Sequence, residues 1–213
     1  MPEEIDVKLL KDFAALINAR VAQGEKFVLI AGGGKTTRKY QAAARAIHGD
    51  LARDDVDWIG IHATRLNGHL LRTVFKDVAY PHVVKDPTRA IPKRYPVIVA
   101  AGWKPGWSTD YVAVRIAKNL GAKRMVNLSN IDYVYTTDPK KDPSAKKIEA
   151  TNWKDFRALL PPTWDPGLNA PFDPIAAKEA ERLHLEVAIM NGHNLDELDN
   201  YLSGKPFKGT IVS

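Results

Sequence analysis

The sequence predicts an α/β fold in which helices cover both faces of a mostly parallel sheet. Short apolar runs, such as residues 27–31 and 96–99, alternate with longer segments whose apolar residues recur every three or four positions. Continuously apolar runs of this length are typical of parallel strands buried on both faces, and the longer segments are typical of amphipathic helices. Two of the apolar runs lead directly into glycine-rich turns. We therefore expect a three-layer α/β/α sandwich with a mostly parallel central sheet.

Capping residues and glycines predict where the helices begin and end. Asp6 is a candidate N-cap for a first helix that Gly24 ends, and Asp173 with Pro174 forms the typical start of a later helix. Asn194 and Glu197 have the spacing of a capping box before the last helix. The predicted helices cover 6–24, 34–47, 58–75, 109–120 and 173–183, and a last one begins after 194. The predicted strands are 27–31, 82–84, 96–99, 125–128 and 186–190, and 130–174 is predicted to be a proline-rich loop region.

Length and composition restrict the class of protein. The chain has 213 residues, of which 45% are hydrophobic and 26% charged, as in an ordinary globular protein of one large or two small domains. We expect a single domain over residues 1–213. Cysteine is absent. Its absence excludes disulfides, thiolate-ligated metals and a thiol nucleophile, and it fits a reducing compartment.

The net charge of +6 indicates a polyanionic partner, which could be a nucleic acid, a membrane surface or a phosphorylated small molecule. The basic pairs are spread along the chain without interleaved aromatic residues, so a nucleic-acid groove is disfavoured. No apolar run approaches the roughly 18 residues of a membrane span, and the acidic N-terminus does not resemble a signal peptide. We expect a cytoplasmic protein that binds small molecules.

Two strand-to-helix junctions have the residues of an anion site. Residues 31–39 contain three consecutive glycines followed by Lys35, Arg38 and Lys39, and residues 101–110 contain two glycines, two hydroxyls and a carboxylate. Glycines let the backbone approach a phosphate, and helix N-termini present free N–H groups to it. Neither a Walker A loop nor a dinucleotide fingerprint fits, because Leu29 and Thr37 stand where those motifs need a small residue. A tight turn, or a simple helix cap at Ser108, remains the alternative.

The order and spacing of six blocks resemble the amino acid kinase family, and within it the uridylate kinases of the short archaeal form. The blocks are residues 32–40, 57–67, 105–110, 129–135, 138–147 and 172–178. They are collinear and span nearly the whole chain. The resemblance implies transfer of the ATP γ-phosphate to UMP in the presence of Mg²⁺.

The resemblance also implies roles for individual residues. The UMP residues would be Gly32, Asp57, Trp103, Lys104, Pro105, Gly106, Trp107, Ser108 and Thr109, with Asp57 toward the ribose and the two hydroxyls near the phosphate. The ATP residues would be Gly33, Arg38, Ser129, Tyr135 and Asp138, with Lys140 and Lys141 beside the phosphates. Asp110 would organise the reacting centre, and Arg38 would act with it on the transferred phosphate. Such positioning and charge neutralisation are what phosphoryl transfer needs.

The resemblance further implies a homo-oligomer, typically a hexamer, and a first strand with a Gly-Gly-Ser loop that this chain lacks. Residues 1–6 correspond to the stretch downstream of that loop. We expect the loop to be encoded upstream of Met1, with a real truncation as the alternative. Trp103 and Trp107 replace smaller or polar residues of many relatives.

Three hypotheses follow for the function. The first is a UMP kinase, the second a family member with another acceptor, such as an amino acid, carbamate or an isoprenoid phosphate, and the third a non-catalytic nucleotide- or oxyanion-binding relative. His62 and His69 lack a third ligand, so no protein metal site is predicted. Trp153, Trp164 and Phe172 are predicted to pack the loop-rich segment.

Overall fold

The structure is a computed structural model that describes residues 5–163 and 170–213. These residues form two compact units, 5–120 and 121–163 with 170–213. The first unit contains α1 (Val7–Ala22), β1 (Phe27–Ile30), α2 (Gly34–Ile47), α3 (Arg53–Val74), β2 (Val97–Ala100) and α4 (Thr109–Leu120). The second contains β3 (Arg124–Ser129), β4 (Val134–Tyr135), β5 (Lys147–Ile148), β6 (Ala150–Thr151), α5 (Trp153–Ala158), α6 (Pro174–Arg182), β7 (Glu186–Asn191), α7 (Leu195–Leu202) and β8 (Thr210–Val212). The α/β class is confirmed.

The first unit is built on the parallel pair of β1 and β2, which places Ile30 beside Ala100 at their carboxyl ends. Alternate residues of the two strands point to opposite faces. Val97 and Val99 pack with Ile17 of α1 and with Phe75 after α3, whereas Ile98 and Ala100 pack with Val112 and Ile116 of α4. Helices therefore cover both faces of this pair, as the sequence predicts.

Helix α3 begins earlier than predicted, at Arg53 instead of Trp58. Asp54 and Asp55 occupy its first turn, where negative charge is favoured by the unpaired N–H groups of the helix start. The apolar periodicity that marks the helix becomes clear only after this turn. The added turn makes Asp57 a helical residue.

The predicted strand at 82–84 is wrong. Only Val84 makes a ladder contact, as an isolated bridge to Ala100, with Val84 N–H donating to the Val99 carbonyl at 2.8 Å. Pro81 and Pro87 flank this short apolar run and have no N–H to donate, which limits its pairing.

The second unit has a four-stranded sheet in the order β3-β7-β8-β6. Strands β3 and β7 are parallel, as are β6 and β8, whereas β7 and β8 are antiparallel. Strands β4 and β5 form a separate antiparallel hairpin with two residue pairs. Strands β4, β5 and β6 and helix α5 lie in the segment 130–174, which is expected to be loop. The sequence does not predict these strands, because strands of two residues are too short to show a periodic pattern.

Aromatic residues close the core of the second unit beside its sheet. Trp153, Phe156 and Phe172 are buried, with ring centroids 5.9–6.5 Å apart, and the Trp153 indole N–H donates to the Leu185 carbonyl at 2.9 Å. The predicted packing role of Trp153 and Phe172 is confirmed. Trp164 lies outside the described residues.

Two predicted helix caps are confirmed and one is wrong. The carboxylates of Asp6 and Asp173 accept from Leu9 N–H at 2.8 Å and Ala176 N–H at 2.7 Å. Asn194 precedes α7, but its side chain makes no capping bond. Glu197 instead accepts from Lys208 N–H at 2.8 Å, so it holds the chain after α7 and not the start of the helix.

No helix among the described residues has the length and apolarity to cross a membrane.

Candidate active site

The two predicted glycine junctions of the first unit leave the same edge of its sheet. Residues 32–34 follow β1 and residues 102–108 follow β2, and the parallel register aligns the ends of these strands. Ligands of α/β proteins bind beyond the carboxyl ends of parallel strands, where helix N-termini also point. The sequence prediction of two neighbouring anion-binding junctions therefore fits the geometry.

Helix α3 holds both junctions by hydrogen bonds to their backbone. The Asp57 carboxylate accepts from Gly106 N–H at 2.6 Å, and the Thr64 hydroxyl accepts from Gly102 N–H at 2.8 Å. Asn67 donates to the Gly32 carbonyl at 2.8 Å. These three side chains are spaced by seven and three positions, which places them along one face of the helix.

Arg65 adds a fourth connection from α3 to the second junction. Its guanidinium donates to the Trp103 carbonyl at 2.8 Å and to the Gly102 carbonyl at 3.2 Å. Burial lowers the pKa of Arg65 from its ordinary value. The guanidinium also lies over the Trp58 ring, 5.8 Å from the ring centroid. Its N–H groups are therefore bonded to backbone carbonyls, and its flat face contacts an aromatic ring.

Among these four residues, the sequence predicts a role for Asp57 alone. The block 57–67 also contains Thr64, Arg65 and Asn67. The only sequence signal for a role of these three is that they are polar residues on a helix that packs on the sheet. The contacts themselves join residues 35 to 49 positions apart, so no local motif reveals them.

Asp57 is desolvated at this site. It is 7% exposed. Burial raises the pKa of its carboxyl above the ordinary value, and the Gly106 N–H and the Arg53 charge oppose this effect in part. A buried carboxylate that holds a loop backbone beside a glycine junction is a candidate functional group, because acids with a shifted pKa occur often at binding and catalytic sites.

The second junction carries a row of aromatic rings. Trp107 stacks on Tyr111 with ring centroids 4.1 Å apart, and Trp103 lies 6.0 Å from Trp107. Lys104 places its Nζ 4.3 Å from the centroid of the Trp103 ring. The large residues at 103 and 107 therefore contact each other and the first turn of α4, which stiffens the junction.

The start of α4 combines a cap with the predicted reactive residues. The Ser108 hydroxyl accepts from Tyr111 N–H at 3.1 Å, so Ser108 caps the start of α4. Thr109 and Asp110 are the first two residues of α4 and are half-buried. Pro105 lies between Lys104 and Gly106 in the turn that Asp57 holds.

Helix α2 begins with cations and no acid. Gly33 caps the helix, and Lys35 and Arg38 in its first turns are exposed. Positive side chains at a helix N-terminus oppose the helix dipole, so this arrangement is unfavourable unless an anion is present. It is the charge distribution expected of a phosphate site.

Three of the five predicted ATP residues, Ser129, Tyr135 and Asp138, lie in the second unit, whereas Gly33 and Arg38 lie in the first. Ser129 ends β3 beside Asn191 at the end of β7, and its carbonyl accepts from Gly192 N–H at 2.8 Å. Tyr135 lies in the β4–β5 hairpin, and Asp138 lies in the turn that joins the two strands. The ends of these parallel strands are therefore a second candidate ligand edge.

The turn between β4 and β5 is held by two aspartates. The Asp138 carboxylate accepts from Lys140 N–H at 3.0 Å, and Asp142 accepts from Ser144 and from the Thr137 hydroxyl. The Ser144 and Thr137 hydrogen bonds hold the pKa of Asp142 below its ordinary value. Lys140 and Lys141 are exposed on this turn.

The described residues contain no preformed cluster of metal ligands. No group of three or more His, Asp or Glu side chains there could hold a metal ion. His62 lies 5.9 Å from Trp58, between ring centroids.

We predict that two neighbouring glycines differ in what they tolerate. A Cβ on Gly33 would lie 1.9 Å from the Thr37 hydroxyl oxygen, whereas a Cβ on Gly32 would meet nothing within 4 Å. Gly33→Ala should lower the free energy of unfolding by roughly 1–3 kcal/mol, as overpacked sites do, and Gly32→Ala by well under 1 kcal/mol. Urea unfolding of both variants measures the difference.

Thr37→Ala supplies the control for this prediction. Combined with Gly33→Ala, it removes the clashing oxygen and should restore at least half of the lost stability. Equal stability of the two single variants, or no recovery in the double variant, would contradict the packing argument.

The raised pKa of Asp57 predicts a pH-dependent stability. Between the ordinary Asp pKa and the raised folded one, the folded chain binds more protons than the unfolded chain, so the contribution of Asp57 to stability falls as pH rises. Asp57→Asn retains an oxygen for Gly106 and has no charge to desolvate. We expect the variant to gain stability over the wild type as pH rises through that window, and to keep the gain at neutral pH.

Urea unfolding at a series of pH values tests this expectation. Asp55→Asn, which changes an exposed carboxylate on the same helix, is the matched control and should show no such gain. A stability difference between Asp57→Asn and wild type that is independent of pH would refute the desolvation argument.

Comparison with known proteins places the chain in a family. A model described as the amino acid kinase family matches residues 3–191. The chain is 33% identical over 213 residues to a protein named uridylate kinase from Methanospirillum hungatei, covering 99% of this chain and 89% of the relative. It is 36% identical to a protein named uridylate kinase from Methanocorpusculum labreanum, and the match covers 98% of this chain and 89% of that relative. A crystal structure named uridylate kinase from Archaeoglobus fulgidus superposes with a TM-score of 0.83 at 30% identity, covering 99% and 94%. The chain belongs to the amino acid kinase family.

Proposed function

We propose that the protein is a UMP kinase that transfers the γ-phosphate of ATP to UMP and releases UDP and ADP. The observation that carries the proposal is the pair of glycine junctions held by α3, with the desolvated Asp57 between helix and loop. Relatives and a solved structure named uridylate kinase, each at least 30% identical and spanned almost end to end by this chain, supply the substrate.

The first unit supplies the groups for the acceptor nucleotide. Asp57 would accept from a ribose hydroxyl through the oxygen that does not face Gly106. The backbone of Gly32 and of residues 103–107 would enclose the nucleoside. Ser108 and Thr109, at the start of α4, would receive the acceptor phosphate, because free N–H groups and a favourable dipole occur there.

Charge at α2 would neutralise the transferred phosphate. Gly33 is the N-cap of this helix and Arg38 is its fifth residue, near the end where an anion is stabilised by the dipole and by N–H groups. Arg38 can donate to two phosphate oxygens at once, which fixes orientation as well as charge. Stabilising charge as it develops on the equatorial oxygens is the main contribution that a protein makes to phosphoryl transfer.

The second unit would supply three of the five residues assigned to ATP. Ser129 and Tyr135 would contact the nucleoside, and Asp138 with Lys140 and Lys141 would face its phosphates. This assignment is supported by the family resemblance and by the position of these residues at strand ends and in one hairpin turn.

Mg²⁺ fits the donor set as a companion of ATP. Such ions bind through one or two carboxylates together with substrate phosphates and waters, and Asp138 is a carboxylate proposed to face the ATP phosphates. The ion would neutralise charge on the phosphates. Asp110 would orient the reacting groups from the first turn of α4.

The reaction requires no covalent enzyme intermediate. An oxygen of the UMP phosphate forms a bond to the γ-phosphorus of ATP, and the bond from that phosphorus to the β–γ bridging oxygen breaks, so ADP leaves with the electron pair. The residues above would position the two phosphates in line, exclude water and stabilise charge.

We further propose a homo-oligomer, hexameric as in typical family members, acting in the cytoplasm in pyrimidine nucleotide synthesis. The support for these points is the family resemblance.

A coupled assay of ADP release over an acceptor panel tests the substrate. We expect UMP to exceed CMP, AMP, amino acids, carbamate and an isoprenoid phosphate by at least about a hundredfold in kcat/KM, since a site that hydrogen-bonds its ligand rejects poorly matched ones strongly. Asp57→Asn should raise KM for UMP. Turnover led by another acceptor would replace UMP as the substrate, and nucleotide binding without any turnover would make the protein a non-catalytic relative.

Asp110→Asn tests the reacting centre. The variant should lower kcat roughly a hundredfold or more and leave the Kd for UMP within about threefold, because the lost charge acts mainly on the transition state. Asp77→Asn, an exposed carboxylate outside the proposed site, is the matched control for general charge removal. Equal losses of turnover and UMP binding in Asp110→Asn would make Asp110 a binding residue.

A further inference from the structure

Thr210 makes side-chain hydrogen bonds to both strands of the β4–β5 hairpin. Its hydroxyl accepts from Val134 N–H at 2.9 Å and donates to the Ile148 carbonyl. Val134 and Ile148 are paired in the register of the hairpin, so one hydroxyl bonds to both members of a single cross-strand pair. Thr210 belongs to β8, which is 62 or more positions away in sequence.

The bond from Val134 N–H is buried, and the bond to the Ile148 carbonyl is partly buried. Thr210 is fully buried and Val134 is 2% exposed. A buried N–H or carbonyl that loses its partner is left without a replacement from water, which is more costly than losing a surface hydrogen bond. The hydroxyl is therefore a strong constraint on where the base of the hairpin lies.

The hairpin is too short to hold its own position. It has two residue pairs, and isolated two-stranded hairpins are marginal in water even when they are longer. Strand β8, by contrast, is fixed on both sides, antiparallel to β7 and parallel to β6. Thr210 thus connects a weak element to a strand inside the four-stranded sheet.

The hairpin carries residues assigned to ATP. Tyr135 directly follows Val134, and the turn with Asp138, Lys140 and Lys141 lies between the two strands that Thr210 bonds. A displacement of the base of the hairpin is transmitted to this turn, because Thr136 N–H and the Lys146 carbonyl continue the ladder at 3.0 Å.

We propose that Thr210 is a positioning residue for ATP. It contacts no substrate; it sets the position of the β4–β5 hairpin through its hydroxyl, and thereby the positions of Tyr135 and Asp138. The ATP part of this inference rests on the proposed function, whereas the effect on the hairpin does not.

Two matched pairs of variants isolate the hydroxyl. Thr210→Val keeps the shape of threonine and removes both hydrogen bonds, and Thr210→Ser keeps the hydroxyl and removes a methyl group. The variants Thr210→Ser and Thr210→Ala differ from each other by the hydroxyl alone. Comparing these two variants therefore measures the same effect if Thr210→Val does not fold.

Steady-state kinetics on the full chain give the first measurement. We expect Thr210→Val to raise KM for ATP roughly tenfold, the size expected for lost hydrogen bonds in a buried site, with KM for UMP within about twofold. Thr210→Ser should stay within about threefold of wild type in both. Equal increases in KM for the two nucleotides, or a serine variant as impaired as the valine variant, would overturn the positioning role.

Hydrogen exchange measured by mass spectrometry is the second measurement, and it reports on the hairpin directly. Peptides covering residues 133–148 should exchange faster in Thr210→Val than in wild type and Thr210→Ser, while peptides from α1 in the other unit stay unchanged. Unchanged exchange at 133–148 would overturn the proposal. If the wild-type chain neither binds nor turns over ATP, the proposed function and the ATP role fail together, and the exchange result still decides whether Thr210 holds the hairpin.

Discussion

The site of the first unit depends on hydrogen bonds from α3 to the backbone of two glycine junctions. Asp57, Thr64 and Arg65 hold residues 102–106, and Asn67 holds Gly32. Every one of these contacts is made to a backbone N–H or carbonyl, so the hydrogen bonds from α3 hold the junctions without using the junctions' own side chains.

The same region contains groups that lower stability. Asp57 is desolvated, and α2 begins with cations and no acid. The Thr37 hydroxyl is buried among the described residues without a hydrogen-bond partner. Each arrangement costs free energy in the unliganded protein, and all three lie at the junctions. Departures from local rules that cluster in one place are typical of a site organised for a ligand, whose negative charge and polar groups would offset the cost.

The features that could be predicted from sequence are local ones. Asp6 and Asp173 cap helices because their bonds reach three residues along the chain, and the glycine junctions follow strands that are apolar throughout. The wrong predictions arise where contacts with residues distant in sequence determine the local structure. Glu197 has the spacing of a capping box, but the N–H of Lys208 takes its carboxylate, and residues 82–84 are apolar enough for a strand but make a single bridge. The contacts of Thr64, Arg65 and Thr210 were not predicted at all, since they join positions brought together only by the fold.

The same kind of interaction positions the backbone of the candidate sites in both units. A side chain on a well-packed element reaches a loop or hairpin that cannot order itself, and it bonds main-chain groups there. In the second unit this requires a group that both donates and accepts, because the Val134 N–H and the Ile148 carbonyl must be satisfied by one atom. Among β-branched residues, which suit a strand, threonine alone carries such a group. Strand propensity therefore accounts for a β-branched residue at 210, and the hydroxyl accounts for its being threonine.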